Sequence, residues 1–256
     1  MEENVTIITV CYNSALTIRQ TIESVLHQTY QDIEYVIVDG GSKDETLSII
    51  QEYQPTFGER LKFVSEPDQG IYDAMNKGIR LATGKLIGIL NSDDFYEYAA
   101  VEHMVDAMTD EKYQILYGFA RYIKAGIECS IERRSHNFLR EGMISHPACF
   151  VTKAVYNDFG KYDLRYISAA DYDFMLRMSQ IDEIRFYPVD YLITNFSLGG
   201  MSATAAAWLD LQKLRRDYRM ISDKEYKRQI FKARVCEIYN KLVFWKKCLS
   251  DRGRQP

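Results

Sequence analysis

The chain has 256 residues, 46% hydrophobic and 27% charged, with a net charge of −4, an ordinary globular composition with room for one large domain or two small ones. Five cysteines (Cys11, Cys129, Cys149, Cys236, Cys248), odd in number and without a C-x-x-C pair, speak against a disulfide framework or a zinc ribbon and for a reducing cytosol. The opening MEENVTIITV has no basic leader or long apolar run, and nothing approaches the ~18 apolar residues of a spanning helix, so neither secretion nor membrane insertion is expected.

Val5 to Cys11 is a short β-rich apolar run. Ala15 to His27 then places Ile18, Ile22, Val25 and Leu26 at helical spacing behind Ser14 as a cap. The alternation recurs: Ile33 to Val38 as strand and Asp44 to Tyr53 as helix, Leu61 to Ser65 and Ile71 to Ala82, Lys85 to Leu90 and Tyr96 to Met108. Four strand–helix units predict an α/β fold with a mostly parallel, doubly wound sheet, helices on both faces, and ligands at the carboxyl ends of the strands. Beyond Tyr113, Gln114 to Lys124 and Ile127 to Ile131 read as strands around a Gly126 turn, Ser135 to Ser145 as loop, and Ala148 to Val151 as a further strand. From Trp208 the pattern is helical.

Three strand ends carry polar clusters, each with a plainer structural alternative. Tyr12 and Asn13 follow the first strand and fit either a ligand contact or simple turn chemistry. Asp39-Gly40-Gly41-Ser42 follows the second, where glycines permit close backbone approach and Asp39 can accept from a base or sugar edge; Ser42 or Asp44 also suits a helix cap. The fourth ends in Asn91-Ser92-Asp93-Asp94 between Leu90 and Phe95. Adjacent carboxylates leaving an apolar strand repel one another unless a cation or hydrogen-bond donors compensate. A divalent ion such as Mn²⁺ or Mg²⁺, bound by one or two carboxylates and substrate phosphates, is one solution, and a helix cap by Asp93 or Asp94 is the other.

The ordered strings VTIITVCYN, YVIVDGGSKDET, FVSEPDQGIYDAMNKGIRLATG, LNSDDF, SHPACF, FGKYDLRYISAADYDFMLRM and LGGMS, over roughly residues 5–200, resemble family 2 glycosyltransferases of the GT-A fold, in particular bacterial enzymes of exopolysaccharide, capsule and lipopolysaccharide synthesis. The resemblance implies a UDP-sugar donor, with Tyr12 stacked on uracil, Asp39 accepting from the ring N–H, and Asn13, Gly70, Asn76 and Asn91 in the donor site. It implies Asp93 at the ribose or a metal, Asp94 as ligand of the Mn²⁺ or Mg²⁺ that bridges the pyrophosphate, and Asp171 as general base of a single, inverting displacement. His146 resembles a histidine near family acceptor sites; a buried structural histidine is the alternative. Asp173, two residues beyond Asp171, is turned some 200° around a helix and is read as structural. Three departures stand out: Ala170 where relatives carry an acid, Asn91 where many carry aspartate, and Met75 where many carry arginine, with Lys77 either a pyrophosphate partner or a solvated lysine.

The implied organisation is a nucleotide-sugar-binding and catalytic domain over 1–203 and a basic helical extension over 204–256. Residues 208–256 hold fourteen Lys/Arg against six Asp/Glu, whereas 1–207 hold eighteen against thirty. The acidic body repels phosphate and argues against nucleic acid. In the extension Phe231, Val235, Ile238, Leu242, Trp245 and Leu249 form one helical stripe flanked by Arg228, Lys232, Arg234, Lys241 and Lys246. Such a helix suits an anionic membrane surface on the cytoplasmic side, presenting a lipid-linked or other saccharide acceptor, or else packing on its own domain or on a second subunit of a homodimer. Rival functions are a nucleotide-sugar-binding module without turnover and a metal-dependent nucleotidyltransferase; VCYNSALTIRQ is not the glycine-rich basic loop that the latter needs.

Overall fold

The computed structural model describes residues 5–200, 204–233 and 235, and divides the chain into two units, 1–200 and 201–256. In the first unit β1 (Val5–Cys11), α1 (Ile18–Leu26), β2 (Ile33–Asp39), α2 (Thr46–Phe57), β3 (Leu61–Ser65), α3 (Ile71–Leu81) and β4 (Leu86–Asn91) follow the alternation of the sequence. The four strands pair in parallel in the order β3-β2-β1-β4. Every residue of β1 and β2 is buried, as strands covered on both faces must be. Ile18, Ile22 and Val25 of α1 join Ile7, Tyr35, Ile37, Ile50 and Phe57 in one apolar core.

Boundaries move where tertiary contacts outweigh local signals. A turn comes first at Ser14, whose carbonyl accepts from Thr17 and Ile18 N–H, and its hydroxyl does not cap α1. α2 continues through Pro55 to Phe57, which is buried with its ring centroid 5.3 Å from that of Tyr35. The helix expected from Tyr96 begins later, as α4 (Ala100–Asp106), because Phe95 and Tyr96 form β5 and pair with Asn195 and Thr194 of β9 (Arg185–Ser197).

Beyond α4 come β6 (Gln114–Lys124), β7 (Ile127–Glu132), β8 (Cys149–Thr152), α5 (Lys153–Phe159) and α6 (Ala170–Met178), then β9. The sheet continues past β4 as β8-β6-β9-β5, with β7 on β6. Here β4–β8, β8–β6, β6–β7 and β5–β9 are antiparallel and only β6–β9 is parallel, so the parallel part of the sheet is the half that carries the strand-end clusters. The segment 135–145 is loop with one 3-10 turn, His136–Phe138.

In the second unit α7 (Ala205–Asp217) is capped by the Thr204 hydroxyl, which accepts from Ala207 N–H, and residues 223–233 and 235 are helical. Phe231 and Val235 of the apolar stripe are exposed; Arg234, Ile238, Lys241, Leu242, Trp245, Lys246 and Leu249 lie outside the described residues. No helix among the described residues is long and apolar enough to cross a membrane. Cys11, Cys129 and Cys149 are free thiols.

Candidate functional site

Strand register assembles one edge of the site. Cys11 lies opposite Asp39, Asp39 opposite Ser65, and Val10 opposite Asn91, so the residues after β1, β2, β3 and β4 emerge together. The chain winds from β1 outward to β3 and then returns to β4 on the other side of β1, and a ligand crevice forms at such a switch. The Ser14 and Ser92 hydroxyls bridge it at 2.7 Å.

Asp39 organises this edge. It is fully buried; Oδ2 accepts from Gly41 N–H at 3.0 Å, Ser42 N–H at 2.9 Å and the Ser65 hydroxyl at 2.7 Å, while Oδ1 accepts from the Ser42 hydroxyl. Burial alone would raise its pKa, but the hydrogen bonds from Ser42, Ser65 and Gly41 outweigh burial and hold it below the ordinary aspartate range. Asn13, at φ +49°, braces the same turn, donating its N–H to Ser42 Oγ at 2.7 Å and accepting from Lys43 N–H at 2.8 Å. Tyr12 is 63% exposed, an aromatic face presented to solvent. A Cβ at Gly40 would sit 2.5 Å from Asp68 Oδ2 and 3.5 Å from Tyr12 Cδ2, so the Asp68 carboxylate and the Tyr12 ring converge over it.

Asp68 Oδ1 also accepts from Gly70 N–H at 2.8 Å, and Gly70, at φ +111°, starts α3. Asn76 in α3 spends its amide on the backbone of residue 162, donating to Tyr162 O at 2.9 Å and accepting from its N–H at 3.1 Å. Lys77 is tied to the loop that follows β3 by Glu66 at 2.9 Å and Pro67 O at 2.9 Å, with Asp73 at 3.6 Å, so it is not a freely solvated lysine. Met75 is buried in the core.

At the end of β4, Asp94 is 1% exposed. Its carboxylate accepts from Ser197 N–H at 2.8 Å and Asn91 Nδ2 at 3.2 Å, and its carbonyl accepts from the Thr21 hydroxyl at 2.7 Å. Burial, and then the charge of Asp93, push its pKa well above the aspartate norm, and burial raises that of Asp93. The next element is β5 and not a helix, so the capping alternative for this pair falls away. Asn91 Oδ1 is buried and has no partner among the described residues. Two desolvated carboxylates and an orphaned amide oxygen form a set of hard oxygen donors suited to a divalent cation that completes its shell with water and phosphate. No group of three or more His, Cys, Asp or Glu that could hold a metal gathers among the described residues.

A second cluster lies where α3 meets α6. Asp171, in the first turn of α6 and half-buried, accepts at Oδ1 from the Tyr72 hydroxyl at 2.8 Å and from Tyr172 N–H at 2.8 Å. Asp173 is buried and paired with Arg177 at 2.8 Å, as its place on the helix requires. His146 is buried with Nε2 2.7 Å from the Tyr162 hydroxyl; burial lowers its pKa and the charge of Asp171 opposes that shift. The structure thus gathers Tyr12, Asn13, Asp39, Asn91, Asp93 and Asp94 at the strand edge, and Asn76, His146 and Asp171 around the α3–α6 junction, with Gly70 at the α3 terminus between them. Sequence reading assigned no role to Ser65, Asp68, Tyr72, Tyr162 or Ser197. Tyr72 and Asp68 stood inside the quoted string SEPDQGIYDAMNKG, but nothing local to it names their partners.

Residues 6–178 match the family model for glycosyl transferase family 2. A "PGL/p-HBAD biosynthesis glycosyltransferase" of Mycobacterium tuberculosis is 32% identical over 195 residues, covering 75% of this chain and 76% of that protein. A chondroitin synthase of Escherichia coli is 33% identical over 210 residues, covering 79% of this chain but only 30% of that protein. Among solved structures, S. aureus TarS 1–349 in complex with UDP-GlcNAc superposes with a TM-score of 0.70 at 17% identity, over 88% of this chain and 69% of that one. The Pyrobaculum calidifontis mannosyltransferase PcManGT in complex with GDP-Man and Mn²⁺ gives 0.64 at 18% identity, over 87% of this chain and 66% of that one. These likenesses establish the GT-A fold.

Proposed function

Because the chain belongs to the family 2 glycosyltransferases and is a sugar-transferring enzyme, we propose that it moves a sugar from a UDP-sugar to a hydroxyl of a saccharide or lipid-linked acceptor, with inversion at the anomeric carbon. The observation that carries this reading is the pair of clusters: adjacent desolvated carboxylates at the carboxyl edge of a parallel sheet, and one carboxylate, Asp171, anchored through Tyr72 to the helix that starts from that edge.

In this reading the exposed Tyr12 ring stacks on the base, and the base N–H reaches Asp39 Oδ1 once the Ser42 hydroxyl turns away. Asn13 and Gly70 hold the turns that shape the pocket, and Asn91 Oδ1 is the acceptor available to a ribose hydroxyl or a cation. Asp94, with Asp93, would hold Mn²⁺ or Mg²⁺, which offsets the charge of the diphosphate. Asp171 takes the proton of the acceptor hydroxyl as that oxygen bonds to the anomeric carbon; the bond from that carbon to the diphosphate breaks, and UDP leaves with the electron pair. Asn76 and His146 secure the Tyr162 segment beneath Asp171, on the acceptor side. The names of the relatives, a PGL/p-HBAD biosynthesis glycosyltransferase and a chondroitin synthase, support a saccharide-containing acceptor; a place in cell-surface synthesis at the cytoplasmic face of the membrane is part of the same proposal, motivated by the basic extension.

UDP-Glc, UDP-Gal, UDP-GlcNAc and UDP-GalNAc, compared by thermal stabilisation, identify the donor, since a ligand bound only by the native state raises its melting temperature. UDP release with a saccharide acceptor, and the anomeric configuration of the product by NMR, then test the chemistry. Retention of configuration would reject the single displacement, and stabilisation without UDP release under any acceptor would favour a binding module.

A further inference from the structure

We propose that Tyr72 is a positioning residue for Asp171: its hydroxyl fixes one carboxylate oxygen so that the other takes the acceptor's proton. The proposal rests on the reading of Asp171 as the base and goes beyond it by naming what aims the base.

Tyr72 and Asn76 are four residues apart on α3 and therefore share a face. Both act on the segment that ends in Asp171. Asn76 clamps the backbone of residue 162 with two hydrogen bonds, the Tyr72 ring packs 5.5 Å from the Tyr162 ring, and the Tyr72 hydroxyl donates to Asp171 Oδ1 at 2.8 Å. The Tyr172 N–H falls on the same oxygen at 2.8 Å. With Oδ1 held by two donors from two helices, rotation of the carboxylate about its own axis is restricted and Oδ2 is left as the proton acceptor. Tyr72 is 6% exposed, so its hydroxyl acts away from competing water. It keeps its proton throughout; only the acceptor's proton moves, to Oδ2.

The anchor also joins the two halves of the site. α3 begins at Gly70, whose N–H is bound by Asp68 beside Tyr12, so two residues after the donor edge the same helix reaches the base. A donor seated against Tyr12 and a base held by Tyr72 are thereby referred to one rigid element.

The test compares Tyr72→Phe, Asp171→Asn and the double variant by UDP release, using whichever of the four UDP-sugars above stabilises the protein most, with saccharide or water as acceptor, and by calorimetric titration of UDP. Phenylalanine keeps the ring packing and removes only the hydroxyl. The expected result is a kcat lowered about tenfold in Tyr72→Phe, with KM for the donor and UDP affinity within twofold of the parent. Asp171→Asn is expected to lose about 10²-fold or more, and the double variant to be no worse than Asp171→Asn alone. Parental kcat in Tyr72→Phe, additive losses in the double variant, or a loss of UDP affinity matching the loss of rate would each overturn the positioning role. Near-parental activity in Asp171→Asn would overturn the base assignment itself, an outcome distinct from failure of Tyr72 alone.

Discussion

Replacing Asp39 with asparagine tests whether its carboxylate is first of all the keystone of the donor edge. Four hydrogen bonds from N–H and O–H donors end on it, from Gly41 N–H, Ser42 N–H, the Ser42 hydroxyl and the Ser65 hydroxyl, with a weak fifth from the Cys11 thiol at 3.7 Å, and the carboxylate is fully buried. Asparagine keeps one oxygen for the three donors at Oδ2 and turns an amide toward Ser42 Oγ, so the bonds persist but lose the charge. A hydrogen bond to a charged group is worth about 1 kcal/mol more than a neutral one, which gives about 4 kcal/mol as a ceiling and about 2–3 kcal/mol after relaxation. For a domain of this size each kcal/mol moves the melting temperature about 2–4 °C, so Asp39→Asn should melt about 5–10 °C below the parent at pH 7. The sign with pH follows from the depressed pKa: the contribution is complete above the ordinary aspartate value of about 4 and is lost as pH falls through the folded value, so the variant's acid-side decline should be shallower than the parent's. Scanning calorimetry between pH 3 and 7 reads both. A variant within about 2 °C of the parent at pH 7, or an unchanged acid-side slope, refutes the keystone account.

Asp94→Ala should abolish the gain in UDP affinity that Mn²⁺ gives over EDTA, read by calorimetric titration; equal affinity in both buffers for the parent, or a normal UDP–Mn²⁺ complex in the variant, refutes the ligand assignment. The full chain should float with anionic and not with neutral liposomes at low salt, weakening as salt shortens the Debye length, whereas a chain ending at Ser222 should stay behind. Indifference of the full chain to anionic liposomes, or a truncation that breaks a dimer or unfolds the domain, assigns the extension a structural role.

Much of the frame was legible because its signals are local. The alternating runs placed β1, β2, β3, β6 and α3 within a residue of their observed limits, since an apolar period is a property of the segment itself. Strand direction is not such a property: β8 reads like β4 in composition yet runs against it, and β5 exists only because residues about a hundred positions later pair with it. The helix expected over Asp44 to Tyr53 runs on through Pro55, because the burial of Phe57 beside Tyr35 carries it further. The same division holds in the site. Tyr12, Asp39, Asp93 and Asp94 were visible as polar residues ending apolar strands, whereas Tyr72 depends on Asp171 across ninety-nine positions and carries no mark of it in its own neighbourhood.

Two of the three departures from the pattern of the family resemblance, Met75 and Asn91, bear on the same charge balance. A diphosphate approaching an acidic body needs positive charge, yet Met75, where relatives often carry arginine, is buried in the core, and Lys77 is already neutralised by Glu66 and Asp73. Asn91, where the family resemblance has aspartate, carries no charge and donates to Asp94. Against that resemblance one cation and one anion are both absent, so the formal charge summed over the two positions is unchanged. The asparagine does this without losing the acceptor, because Oδ1 stays buried and unpaired beside the carboxylates. At the Asp93–Asp94 pair, Ser197 N–H and Asn91 offset only part of the burial: burial raises the pKa of both carboxyls, and the charge of Asp93 raises that of Asp94 further. In the proposed reading, a cation arriving with the nucleotide would lower the cost of that burial, so the Mn²⁺-dependent gain in UDP affinity and its loss in Asp94→Ala read the coupling of the two binding events.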